Sequence, residues 1–414
     1  MESFNNFMYK IAYIGQKGIL NPAGGGVETH VEELSYQMVL KGHEVFLYTR
    51  PHYTPKEYTA YEGVKLVSLP SIHTKHLDAI SHTFVSLIHA IFKNKVDIIH
   101  FHGVGPSLLT FLPKLISPKV KVISTAHSQD WEHSKWGFFS RQMLKMGAFM
   151  SSVFSDEVIT VSKELQKRFL TKYSRSITLI PNGVNASNKN TKDTRLLNSF
   201  GLKKNKYILV VSRIVKHKGI HYLIEAFKEI KAKKKFKDFK LVVVGQTSFT
   251  NSYFGFLKKM IAGEKNIMFV GGQRGEALEQ LFSNALLYVS PSTSEGLSIS
   301  LLEAMGYGKP VLVSDIKENL ELINGDANLG SVGFSFKNKN IIDLKEKLEL
   351  LLADPVTIRK VGKKAKEFVK VYYNWSDIAE RTNKIYKLVF VVKNKEKDNM
   401  LKKLVFAWNR IRIF

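Results

Sequence analysis

The 414-residue sequence contains no cysteine, which excludes disulfides and thiolate metal sites. The first residues, Met1-Glu2-Ser3-Phe4-Asn5, lack the basic and apolar regions of a secretion signal, so the expected location is the cytoplasm. Long hydrophobic runs are missing too. The longest weakly charged one, residues 77–92, contains Asp78, His82 and His89 and is shorter than the about 20 residues a spanning helix needs. Acidic residues are scarce, 36 Asp plus Glu against 62 Lys plus Arg, which leaves a net charge of +26. Such an excess predicts attraction to polyanions, nucleic acid or an anionic lipid surface. Zinc-finger spacing, an aromatic RNA-binding signature and a heptad array are all absent, which counts against nucleic acid. Many of the cations stand in runs such as residues 228–235, the composition of a solvated helix face.

The residues that are present suit two α/β domains. With 44% hydrophobic residues and 27 glycines, the chain can fill two ordinary cores. Short apolar runs alternate with helical patterns at 10–15, 44–48, 64–67, 96–100, 120–124, 157–161 and 177–180, then again at 207–211, 241–244, 267–270, 285–290 and 310–313. This alternation marks parallel sheets covered on both faces. The polar stretch 185–193 reads as a linker. The expected division is 1–190, 191–374, a helix at 375–391 and a basic aromatic tail at 392–414, which suits an amphipathic helix on an anionic membrane or docking on the protein itself. Ligands of doubly wound sheets sit outside the carboxyl ends of the strands, so the loops there are the places to search.

Three of them carry chemistry. Gly24-Gly25-Gly26-Val27-Glu28-Thr29-His30 follows the first strand and precedes a helix, where glycines let a backbone approach a ligand. It is neither G-x-G-x-x-G nor a Walker loop, which weakens a dehydrogenase or a nucleoside triphosphatase. At the first strand end of the second domain, Arg213 and Lys218 offer a fork and a point charge for a diphosphate. Glu295 and Glu303, eight positions apart in Ser294-Glu295-Gly296-Leu297-Ser298-Ile299-Ser300-Leu301-Leu302-Glu303, straddle a strand-loop-helix junction that presents carboxylates for hydroxyls and N–H groups for phosphate. The same stretch fits a capping box from Ser300 to Glu303, in which Glu303 only ties the helix start together. His100-Phe101-His102 looks metal-like but has no partner at ligand spacing, and reads as strand-end structure.

These pieces, with Thr125-Ala126-His127 and Ile180-Pro181-Asn182-Gly183-Val184, resemble the GT-B retaining glycosyltransferases of family 4. Asp130-Trp131 with Lys135-Trp136-Gly137 looks like a subgroup of bacterial polysaccharide and cell-envelope transferases. The resemblance implies two Rossmann-like domains facing across a cleft, the first binding acceptor and the second nucleotide sugar, with a C-terminal helix crossing back to the first. It implies that Arg213 and Lys218 hold the donor diphosphate and that Glu303 accepts from ribose hydroxyls. Glu295, with backbone amides at Gly296, Leu297 and Ser298, would hold the sugar and its phosphate. His127 would approach that sugar, the loop of Gly24, Gly25 and Gly26 would lie beside the phosphates, and Trp131, Lys135 and Trp136 would meet the acceptor. Two departures are visible: Asn185 stands where the family usually has Asp, and Ser128 where the subgroup commonly has glycine.

The resemblance also implies retention by front-face attack, the leaving phosphate helping to take the acceptor proton. No metal or other cofactor is expected, because there is no Asp-x-Asp and the two cations can neutralise the leaving group. The expected donor is a nucleotide-diphosphate sugar, with UDP the first choice, and the expected acceptor a lipid-linked or soluble glycan. Lys114, Lys119, Lys121, Trp131, Trp136, Phe138, Phe139, Arg141 and Lys145 gather basic and aromatic residues that fit docking on anionic lipid, or an aromatic core beside a solvated basic face. An epimerase or phosphorylase on the same fold, and a basic binding module for nucleic acid or membrane, are the alternatives.

Overall fold

A computed structural model of the chain describes residues 7–20, 24–74, 76–129, 131, 137–173, 175, 177–185, 194–247 and 251–391. These described residues divide into two compact units, one drawn from 1–20, 27–181 and 376–414 and the other from 21–26 and 182–375. The first holds an eight-stranded sheet of β1 (Lys10–Ile14), β2 (Glu44–Thr49), β3 (Ala60–Tyr61), β4 (Val64–Ser68), β5 (Ile98–His102), β6 (Lys121–Ala126), β7 (Glu157–Thr160) and β8 (Thr178–Leu179). The order is β3-β4-β2-β1-β5-β6-β7-β8, parallel except for β3 against β4. Helices α1 (Gly26–Leu40), α2 (Asp78–Phe92), α3 (Phe111–Ile116), α4 (Phe138–Phe154) and α5 (Lys163–Tyr173) connect the strands.

The second unit holds β9 (Tyr207–Val211), β10 (Lys240–Val244), β11 (Ile267–Phe269), β12 (Leu287–Ser290), β13 (Val311–Ser314) and β14 (Phe334–Phe336), all parallel, in the order β11-β10-β9-β12-β13-β14. Its helices are α6 (Arg195–Ser199), α7 (Ile220–Lys231), α8 (Asn251–Met260), α9 (Gly275–Asn284), α10 (Ile299–Gly306), α11 (Lys317–Ile323), α12 (Ile341–Ala353) and α13 (Pro355–Tyr372). The last helix, α14 (Trp375–Val391), packs almost entirely in the first unit. Among the described residues no helix is long and apolar enough to cross a membrane.

The central strands form because their side chains are apolar on both faces. Ile11, Ala12, Tyr13 and Ile14 are all buried, as are Ile208, Leu209 and Val210, and each such aliphatic residue contributes roughly 1.5–3 kcal/mol by leaving water. In the first unit β1, β2 and β5 pack Ile14, Tyr48 and Phe101 into one core with Leu87 of α2. In the second, Val210 and Val243 pack with Leu223 and Phe227 of α7 and Leu344 and Leu348 of α12. Strand β5 continues through His102, beyond the expected end at residue 100, and all five of its residues are buried. The short edge strands β3 and β14 have no counterpart among the sequence-expected strands.

Candidate active site

In the second sheet the chain leaves β9 toward β10 on one side, while β12 leads to β13 on the other. The carboxyl ends of β9 and β12 therefore flank a crevice at the point where the strand order reverses. Arg213 and Lys218 follow β9, and Glu295 follows β12. Lys218 ends a 3-10 turn, Lys216–Lys218, and α7 begins two residues later at Ile220. Between them Gly219 has φ +66°, and a side chain there would strike the Pro291 carbonyl. Thr293 adds two bonds to the His217 carbonyl, from its N–H at 2.7 Å and its hydroxyl at 3.2 Å. The turn and the loop are thus stitched together, which brings Lys218 Nζ to 2.5 Å from Glu295 Oε1 with the side chains 13% and 9% exposed.

Sequence reasoning put Lys218 on phosphate and Glu295 on sugar; the structure adds that the two hold each other. Arg213 differs. It is half-buried, and its guanidinium has no hydrogen-bond or ion-pair partner among the described residues. A cation withdrawn from water without a counter-charge is costly, so this is the place an anion would gain most. Ser212, Tyr288, Ser290, Ser298 and Ser300 line a small pocket with Lys218 and Glu295. Burial raises the Tyr288 phenol far above its ordinary range, and the carboxylates of Glu295 and Glu303 raise it further. The phenol therefore stays neutral, and both acids share its neighbourhood. It donates to Ser300 Oγ at 2.9 Å.

The capping-box reading of Glu303 does not hold. Helix α10 is capped by Ser298, whose Oγ accepts from the Leu301 N–H at 3.4 Å while its backbone stays extended. Glu303 lies in the second turn, too far along to reach back to that cap. Leu297 is buried and its carbonyl accepts from Asn182 Nδ2 at 2.8 Å. Asn182, Gly183 and Val184 are a brace within the second unit. A side chain at Gly183 would meet the Trp375 ring, and the Val184 N–H donates to the Tyr373 carbonyl at 2.6 Å.

The first sheet reverses order between β1 and β5. Gly15, with φ +116°, lets the end of β1 lie against the His102 carbonyl, where a Cβ would approach to 2.6 Å. His127, just after β6, is buried, and its Nε2 shares a hydrogen bond with His102 Nδ1 at 3.1 Å. The His30 ring meets the His127 ring edge-on with centroids 4.7 Å apart. Ligand-type nitrogens of His30, His102 and His127 lie within 4.8 Å of one another, so His102 has the partners that spacing along the chain had denied it. The His102–His127 hydrogen bond engages one nitrogen on each ring. His100 is structural: its Nδ1 lies 2.7 Å from the Tyr386 hydroxyl and its Nε2 2.7 Å from Thr125 Oγ1, and Tyr386 in turn meets the Tyr13 hydroxyl at 2.9 Å. Burial holds His100, His102 and His127 well below the ordinary histidine range, with neighbouring imidazoles adding to the effect. The three are neutral hydrogen-bonding groups at neutral pH.

Of the remaining expected residues, Gly24, Gly25 and Gly26 group with the second unit, and α1 starts at Gly26. Glu28 Oε1 accepts from the Lys17 N–H at 3.2 Å, closing the loop after β1. Trp131 is half-buried, 6.5 Å from the Phe169 ring. Lys135 and Trp136 lie outside the described residues, as does the tail 392–414. His30, His102, Tyr13, Tyr386 and Tyr288 were not among the expected site residues. His30 stood inside the glycine-loop motif and His102 inside the His100-Phe101-His102 run, which read as strand-end structure.

The model described as Glycosyltransferase Family 4 matches residues 24–188, and the one described as Glycosyl transferases group 1 matches residues 193–368. An uncharacterized glycosyltransferase of Methanocaldococcus jannaschii is 27% identical over 379 residues, 88% of this chain and 94% of that protein. In Campylobacter jejuni, N,N'-diacetylbacillosaminyl-diphospho-undecaprenol alpha-1,3-N-acetylgalactosaminyltransferase is 31% identical over 188 residues, 45% of this chain and 46% of its own length. The crystal structure of Anabaena HepE in complex with UDP and glucose shares the fold, with a TM-score of 0.74 at 18% identity over 92% of this chain and 99% of that one.

Proposed function

Because the chain belongs to the family 4 glycosyltransferases, with the two Rossmann-like units of the GT-B fold, we propose that it moves a sugar from a nucleotide-diphosphate donor to a lipid-linked glycan with retention of configuration. The observation that carries this reading is Arg213, a half-buried cation without a counter-charge among the described residues, at the switch point of the second sheet, with Lys218 beside it. Breaking the anomeric bond places negative charge on the departing diphosphate, and preorganised cations at that place lower the barrier. In this proposal Arg213 and Lys218 take the diphosphate, which replaces Glu295 as the partner of Lys218. Glu295 is then released to a hydroxyl of the sugar. Glu303 accepts from the ribose, the backbone at Gly296, Leu297 and Ser298 meets phosphate, and neutral His127 offers a hydrogen bond to a sugar hydroxyl. The two cations do the work a divalent ion does elsewhere, so turnover needs no metal.

The complex of HepE with UDP supports UDP as the nucleotide. The undecaprenol-linked substrate named for the Campylobacter jejuni relative supports a lipid-linked acceptor in surface polysaccharide or oligosaccharide assembly, at the inner face of the cytoplasmic membrane. A screen of UDP, GDP, ADP and dTDP sugars with polyprenyl-diphosphate glycans, read by proton NMR, tests the reading. It predicts one donor consumed and an α-linked product from an α-linked donor, in the presence of EDTA. Consumption of no donor would sink it, and a new nucleotide sugar formed without acceptor would make the protein an epimerase instead.

A further inference from the structure

The first unit carries a surface that its sheet edge does not use. Helix α4 opens with Phe138 79% exposed and Phe139 75% exposed, and Met143, one turn beyond Phe139, is exposed as well. Ser140 Oγ meets His76 Nδ1 at 3.2 Å, which sets exposed Leu77 beside the same turn. Arg141 is exposed and Lys145 half-buried on α4. Lys145 lies close enough to Lys172 for the two cations to oppose each other, and Lys172 Nζ stands over the Trp131 ring, 5.9 Å from its centroid.

Two other lysines of the basic and aromatic set are engaged elsewhere. Lys114 pairs with Asp156 at 2.5 Å, and Lys121 lies over the Phe390 ring at 5.6 Å. What remains in solvent is an apolar tip of two phenyl rings, a thioether and a leucine, rimmed by cations. Large apolar side chains over a basic rim suit the headgroup boundary of an anionic bilayer. A second copy of the chain would bring the same cations, on a molecule of net charge +26, face to face. We propose that the start of α4, with Phe138, Phe139, Met143 and Leu77 inserted and Arg141 and Lys145 on the headgroups, docks the protein on an anionic membrane. The inference rests on the reading that the acceptor is lipid-linked.

The test is flotation of the full chain with phosphatidylglycerol-rich vesicles and with pure phosphatidylcholine vesicles. The wild type is expected to bind the anionic vesicles at least about tenfold better. The F138D/F139D variant is expected to lose binding by about tenfold, and R141E/K145E to lose most of its salt dependence. Both should keep wild-type melting and transfer to a short water-soluble acceptor. Unchanged flotation of both variants overturns the surface but leaves the lipid-linked acceptor standing, whereas wild-type transfer to soluble glycans alone removes that acceptor whatever the vesicles show. Dimerisation that F138D/F139D abolishes would assign the rings to a second copy and also overturn the inference.

Discussion

The two sheets reverse strand order in the same manner, yet they place opposite chemistry at the reversal. At the end of β9 and β12 the side chains are charged: Arg213 without a partner among the described residues, Lys218 and Glu295 joined at 2.5 Å. At the end of β1 and β5 they are neutral imidazoles and phenols, His102, His127, His100, Tyr13 and Tyr386, linked by hydrogen bonds of 2.7–3.1 Å. A charged edge can answer charge that develops during a reaction. A neutral, dry edge can orient hydroxyls without committing a charge of its own. Topology supplies the place, and the residues at the strand ends decide what it does.

The largest effect that would sharpen this contrast lies in Arg213 and Lys218. Arg213→Ala is expected to lower turnover by about 10²-fold or more with melting unchanged, because the guanidinium has no partner to lose among the described residues. Lys218→Ala is expected to lose comparable turnover and to destabilise the second unit by about 1–3 kcal/mol, since Glu295 is left nearly buried and unpaired. Steady-state kinetics beside thermal melts separate the two. Equal melting of both variants would break the distinction between a waiting cation and a paired one.

Acid should strike the other edge. The folded-state values of His100, His102 and His127 lie well below the ordinary one, so below about pH 6.5 the unfolded chain takes up protons that the folded chain refuses. Stability is full above that value and falls as pH drops through it, by up to about 1.4 kcal/mol per pH unit for each histidine. Hydrogen exchange between pH 7.5 and 5.5 should show protection lost in the first unit ahead of the second. Equal loss in both would mean that the buried imidazoles do not control acid sensitivity.

The smallest expected effect belongs to Glu303. With the helix capped by Ser298, Glu303→Gln should leave melting unchanged and weaken donor nucleotide binding by about tenfold, measured by calorimetry. Unchanged affinity would move the ribose contact to another residue.

Much of the framework was legible because parallel strands covered on both faces read as continuous apolar runs. Strands β3 and β14, two and three residues long, were too short to give such a run. Arg213, Lys218, Glu295 and Glu303 were legible because they follow buried strands. Their pairing was not, since Lys218 and Glu295 meet across 77 positions. The capping box misled for a local reason: Ser300 fits the template, but the backbone is extended at Ser298 and the helix starts there. The histidine cluster was invisible because it draws His30 from α1, His102 from β5 and His127 from beyond β6. The hydroxyl pair behind it joins Tyr13 to Tyr386, 373 positions apart.

That last pair has a consequence for how the protein comes into being. Tyr386, Asn383 and Glu380 of α14 meet Tyr13, His43 and Lys41 of the first unit, whose strands are complete by residue 179. During synthesis those strands must wait for about 200 further residues, roughly 10–40 s at ribosomal rates, before the helix that closes them emerges. Throughout that interval the buried phenol and imidazole lack their partner, and the second unit can fold first. The second unit, complete at residue 375, thus leaves the ribosome before the helix that closes the first.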